Sequence, residues 1–119
     1  FTSGKPWLPF QESWKNLTVE KQDSDPKSTL NLYRNALNLR SEHLVTDGEI
    51  NWIESPIHGH KGDSLLAFKR GNVSVFMNLS NSPIEVDITG KLLVVSSGIV
   101  DARDGKVTIP PVSTIWLHH

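Results

Sequence analysis

An antiparallel β-sandwich, entered through an aromatic loop and a single helix, is the fold class that this 119-residue sequence predicts. Three observations carry the prediction. After Asp47-Gly48 the apolar period switches to two, in short β-rich runs; turn residues separate those runs; and no helical stretch lies between them to make the crossovers that parallel strands need. Before that point only residues 26–43 form a stretch suited to a helix.

The elements follow in chain order. Phe1-Thr2-Ser3-Gly4-Lys5-Pro6-Trp7-Leu8-Pro9-Phe10 has neither helical nor strand periodicity. Pro6 and Pro9 each remove a backbone donor and bias the preceding residue to extended geometry, so residues 1–24 read as loop. Phe1, Trp7, Leu8 and Phe10 carry an apolar load that stabilises a chain only when other atoms cover it, so the segment is expected to belong to a larger body. Asp25-Pro26 pairs a capping side chain with a proline at the first helical position, which starts the helix there. From Lys27 to Glu42 there is no Gly or Pro. At about 100° per residue Leu30, Tyr33, Leu37 and Leu44 share one stripe, and Leu32, Ala36 and Leu39 an adjacent one. A helix with two apolar flanks is expected to lie between two neighbours, although one broad core face explains the same pattern.

Strands are expected at 50–54, 64–70, 73–79, 84–88, 91–96, 106–109 and 114–117. Arg70-Gly71-Asn72-Val73 is a hairpin, with Gly and Asn both suited to positive φ, and it sets Leu66 and Phe68 on one face with Val75 and Met77. Asn81-Ser82-Pro83, Thr89-Gly90 and Asp104-Gly105 punctuate the later strands, consistent with meander or Greek-key connections.

Composition excludes several classes. Twelve Lys and Arg against thirteen Asp and Glu give a net charge of −1, without the basic stripe of a nucleic-acid binder. No apolar run approaches the roughly 18 residues that span a bilayer, so no membrane partner is expected. The absence of cysteine removes disulfides and thiolate-ligated metal and suits a cytoplasmic location, though an upstream export signal would be invisible.

Candidate chemistry is sparse. His58-Gly59-His60 with Asp63 offers metal-ligand types, but structural zinc takes four ligands and Lys61 repels a cation, so a solvated loop is the plainer reading and no metal or other cofactor is expected. Asp23/Asp25, Asp101/Asp104 and Glu12/Glu20 are available for acid–base work, yet Asp25 sits at a helix start and Asp104 at a turn. No nucleophile elbow, phosphate-cradling loop or HExxH helix occurs, and no catalytic residue is assigned. Asn16-Leu17-Thr18, Asn72-Val73-Ser74 and Asn78-Leu79-Ser80 fit the glycosylation pattern and are expected to be unused. Trp7 and Trp14 have faces suited to sugar rings, although packing is the commoner role of tryptophan.

Phe1-Thr2 with Lys5-Pro6-Trp7-Leu8-Pro9, Asn16-Leu17-Thr18-Val19-Glu20, Gln22, Asp25-Pro26, Ser28, Leu30, Tyr33-Arg34 and Leu39-Arg40 together resemble glycoside hydrolase family 13, in its oligo-1,6-glucosidase and maltase branch. Leu65-Leu66-Ala67-Phe68-Lys69-Arg70, Asn78-Leu79-Ser80 and Pro110-Pro111-Val112-Ser113-Thr114-Ile115-Trp116-Leu117 are similar to that family's C-terminal β-domain. The resemblance implies a C-terminal fragment of an α-glucosidase: residues 1–44 a remnant of the (β/α)₈ barrel, comprising loop 1–24 and final helix 26–43, and residues 45–119 the β-sandwich. It implies a retaining parent enzyme acting on malto- or isomalto-oligosaccharides, with its catalytic carboxylates upstream of Phe1. Phe1 and Trp7 are then substrate-side residues of a loop at the active-site mouth, the barrel is the partner, and the fragment itself is inactive and structural. Cut from the barrel, it is expected to self-associate through the orphaned helix flank and the N-terminal loop. The alternative is a standalone carbohydrate-binding sandwich using Trp7, Trp52 or Trp116.

Overall fold

The computed structural model describes residues 4, 7–44, 48–54, 64–88 and 90–119. The chain divides into two compact units, Phe1–Asn35 and Ala36–His119.

In the first unit the stretch expected to be loop holds two short helical elements, a 3₁₀ turn at Glu12–Leu17 and the helix α1, Val19–Asp23. Neither buries a residue. Elements this short show no 3.6 period in sequence, and local bonds sustain them instead: Trp14 N donates to Gln11 O at 3.0 Å, and Lys21 N to the Thr18 hydroxyl at 3.4 Å.

The second helix, α2, runs Thr29–His43 and so begins three residues later than Asp25-Pro26 predicts. Asp25 accepts from Lys27 N at 2.9 Å through its side chain and from Ser28 N at 3.0 Å through its carbonyl, closing a turn around Pro26. Ser28 takes over the cap, its hydroxyl accepting from Asn31 N at 3.2 Å while Gln22 Oε1 accepts from Leu30 N at 3.1 Å. Asn31 Nδ2 reaches back to the carbonyls of Gln22, Asp23 and Asp25, at 3.0, 3.1 and 2.9 Å. This polar knot fixes the α1–α2 corner without a buried apolar face. Along α2, Leu30, Leu32, Ala36 and Leu39 are half-buried while Tyr33 and Leu37 are exposed.

The second unit is an antiparallel β-sandwich. Its strands are β1 Asn51–Trp52, β2 Leu65–Arg70, β3 Val73–Asn78, β4 Ile84–Asp87, β5 Lys91–Val95, β6 Asp101–Arg103, β7 Lys106–Ile109 and β8 Ser113–His118. One sheet has the order β1-β2-β3-β8-β5 and the other β4-β7-β6. Seven of these strands fall where the period predicts them, with β1 shorter than expected. The eighth, β6, is not among the expected strands: all three of its residues are exposed, and it carries no buried alternation.

The register sets Leu66 opposite Met77 and Phe68 opposite Val75, the shared face expected from the hairpin. Within the turn only Gly71 takes positive φ (56°), whereas Asn72 does not; this is the first-position requirement of a type II′ turn. The β6–β7 turn is the case that needs two, with Asp104 at 51° and Gly105 at 78°.

Between the sheets lie Ala67, Phe76, Ile115 and Leu117 from one side and Ile84, Val86, Val107 and Ile109 from the other. β4 and β8 alternate buried and open positions as half-buried strands do, but β3 is buried at Val73, Ser74, Val75 and Phe76 in succession. Its second face is therefore partly covered as well, with Met77 left half-buried.

Asn78, at the end of β3, is 1% exposed. Its amide nitrogen donates to the carbonyls of Ser82, Ile109 and Pro110 at 2.8, 3.2 and 2.9 Å, and its oxygen accepts from Ser80 N and Oγ at 2.9 and 2.8 Å. One side chain thus ties β3 to the β3–β4 loop and to the end of β7 in the other sheet.

Gly98 lies at φ +79°, and a Cβ there would meet Pro110 Cβ at 2.9 Å. Gly98→Ala is expected to cost about 1–3 kcal/mol from the left-handed backbone and the collision together, read as a lower urea midpoint at unchanged slope.

Candidate functional site

Most of the candidate carboxylates are engaged locally, while Glu20 lies exposed in the first turn of α1. Asp23 is paired with Arg34, Glu12 with Lys15 at 2.5 Å, Asp101 with Arg103 at 2.9 Å and Glu85 with Lys106 at 2.6 Å. Asp25 closes the turn before α2, and Asp104 forms the β6–β7 turn. Acid–base catalysis on a glycoside needs two carboxyl groups facing one bond, and none of these contacts joins two carboxylates. The hydrogen bond from Lys106 to Glu85, then the charges of Glu85 and Asp87, raise the lysine pKa above 10.5. That pairing favours the fold at pH below the ordinary lysine value and is lost as pH climbs through the raised one.

Among the described residues no group of three or more His, Asp or Glu side chains is placed to hold a metal ion. The His58, His60 and Asp63 candidate lies outside the described residues, as does Phe1. His43 and His118 do meet, with ring centroids 4.8 Å apart, joining the end of α2 to β8.

The aromatic side chains are the more distinctive feature. In the first unit Trp7 is 91% exposed, and Phe10 packs edge-on to Trp14 at 5.3 Å between centroids. In the second unit Trp52 on β1 is exposed and meets Phe68 edge-on at 5.7 Å.

Beside that pair, the outer face of the five-stranded sheet holds a pocket of about 290 Å³. Phe68, Val75, Met77 and Trp116 form its floor, with Leu44 beyond the end of α2 and Ile50 along the side, and Arg40 and Arg70 belong to the same lining. Arg70 Nε donates to Gly48 O at 3.0 Å, which holds that side chain in place. Sequence reasoning grouped Phe68, Val75 and Met77 on one face. It missed the closure by Arg40, Leu44 and Ile50, which depends on where the chain beyond α2 returns to the sheet.

No protein-family model matches the chain. Among curated proteins, the salivary α-glucosidase of Aedes aegypti is 29% identical over 115 residues, covering 86% of this chain and 19% of the mosquito protein. A probable α-glucosidase of Rhizobium meliloti is 33% identical over 118 residues, covering 92% of this chain and 20% of that protein. Among solved structures, one described as a family GH13_31 enzyme superposes with a TM-score of 0.76 at 29% identity, over 99% of this chain and 21% of that one. The chain spans about a fifth of the length of the curated relatives it matches. Fold and relatives together fit a C-terminal segment of a glycoside hydrolase family 13 enzyme. Within that family the similarity is to the α-glucosidases.

Proposed function

We propose that this chain is the bracing C-terminal part of an α-glucosidase that cleaves α-glucosidic bonds of malto- or isomalto-oligosaccharides with retention. The observation that carries the reading is its similarity to α-glucosidases along nearly its whole length, while it spans only a fifth of theirs. In this reading residues 1–44 complete the barrel and residues 45–119 form the sandwich that supports it. Retention requires a nucleophilic carboxylate and an acid–base carboxyl on opposite sides of the scissile bond, roughly 5–5.5 Å apart. Asp23 and Asp101 are held in ion pairs and Asp25 in a turn, which supports placing that pair on the barrel portion of the enzyme. The loop containing Phe1 and Trp7 then walls the active-site mouth, the face that loops after barrel strands form.

The purified chain is expected to release no nitrophenol from an aryl α-glucoside. Appended to the bacterial relative in place of that enzyme's own C-terminal part, it is expected to restore a stable, active enzyme. Hydrolysis by the chain alone would overturn the assignment of the chemistry. The strong exposure of Trp7 and Trp52 favours one second reading, a carbohydrate-binding module. Saturable heat on titrating maltose or isomaltose oligomers, lost in Trp7→Ala, would support that module over the brace.

A further inference from the structure

Resting on the bracing reading, we propose that the outer pocket of the five-stranded sheet is a socket for one apolar side chain of the catalytic body, with a carboxylate from that body set against Arg40 and Arg70.

The two outer faces of the sandwich differ in kind. On the three-stranded sheet the exposed side chains include Glu85, Asp87, Asp101, Arg103 and Lys106, and two ion pairs join members of this group. That surface is complete in water. On the five-stranded sheet the outer face is apolar: Phe68, Val75, Met77 and Trp116 are wholly or half buried around an opening of about 290 Å³, while Ile50 and Trp52 at its side are 53% and 61% exposed. A continuous apolar patch with an indentation is the signature of a protein interface rather than of a solvated surface. An opening of about 290 Å³ has room for one large side chain, and its apolar floor suits such a group better than a hydroxyl-rich oligosaccharide.

Charge decides what accompanies that side chain. Two guanidinium groups line the pocket, and among the described residues no Asp or Glu does. Among the described residues neither Arg40 nor Arg70 has an ion-pair partner, in contrast to Arg34 and Arg103. An approaching surface that brought no negative charge would desolvate two cations without compensation, whereas a carboxylate beside the apolar side chain forms charge-assisted hydrogen bonds with them. About four-fifths of each relative's length lies outside the matched part, which supplies a body large enough to bear such a group.

The test uses the isolated chain and the separately produced catalytic portion of its full-length enzyme, mixed in trans. Two variants are compared: Arg40→Glu, which reverses charge at an exposed position on α2, and Met77→Glu, which puts a carboxylate into the apolar floor. Arg40→Glu is expected to leave the urea midpoint of the isolated chain unchanged and to weaken binding to the catalytic portion about tenfold or more. Met77→Glu is expected to abolish binding, with circular dichroism checking that the variant remains folded. Binding by the wild-type chain that both variants retain would overturn the socket and leave the brace standing. Absence of wild-type binding would overturn both. Sedimentation supplies the remaining outcome: an isolated chain that dimerises through this face, with the dimer broken by Arg40→Glu and binding in trans unaffected, would assign the socket to a second copy and overturn the proposal.

Discussion

Asn78→Ala is expected to destabilise the β-sandwich by about 3 kcal/mol, because it removes a buried polar hub and each buried polar group left without a partner costs about 1–3 kcal/mol. Ser80 N–H loses its acceptor and the Ile109 carbonyl loses the amide donor, while the carbonyls of Ser82 and Pro110 keep the hydroxyls of Ser80 and Ser113. Ordinary propensity gives no warning of such a loss, since Asn is a poor strand former and its removal from a strand is usually harmless. Asn78→Asp tests the cause. The aspartate matches the asparagine in size and keeps the acceptor for Ser80, but it sets a carboxylate against three carbonyl oxygens and should be at least as damaging. Urea titrations of both variants at neutral pH check the result. An Asn78→Asp chain with wild-type stability would show that the amide donors contribute little.

Phe76→Ala is expected to cost about 3–5 kcal/mol, the range for truncating a buried aromatic side chain. Phe76 is 1% exposed on β3, sits opposite Ala67 on β2 and Ile115 on β8, and packs against the residues of the second sheet. Its small neighbour Ala67 has no side chain long enough to refill the space. Set against a total of roughly 5–15 kcal/mol for an ordinary domain, such a loss leaves little margin. The expected readout is a large drop in urea midpoint together with faster proteolysis at 37 °C. The matching change at Leu66, 39% exposed on the same strand as Ala67, should cost far less, and equal losses at the two positions would contradict the assignment of the core.

The β-half was legible because one-sided burial prints a period of two into the chain. Val107 and Ile109 on β7, and Ile115 and Leu117 on β8, alternate with more open neighbours, and the turn residues between the strands mark their ends. β6 left no such print, since Asp101, Ala102 and Arg103 are all exposed and backbone pairing to β7 alone makes them a strand. The start of α2 was misplaced for a related reason. Asp25 and Ser28 are both good caps, and only the contacts of Gln22 and Asn31 decide between them. Of the candidate site, Trp7 could be singled out as an aromatic side chain in want of cover, and it is among the most exposed residues described. The socket could not be read in the same way. Its floor follows from strand register, but its walls come from Arg40, Leu44 and Ile50, whose return to the sheet no local pattern encodes.

The strand order has a kinetic corollary. β8 lies between β3 and β5, so the five-stranded sheet has no continuous centre until that strand inserts between two that precede it in the chain. A hairpin of β2 and β3 can zip from its own turn, but β3 and β5 can be bridged only by loop closure over tens of residues, and such non-local pairings slow the search. During synthesis the open flanks of β3 and β5 wait with unpaired backbone groups and apolar side chains. In that interval the nascent sheet is most exposed to pairing with another chain, and the last strand acts as its closing seam.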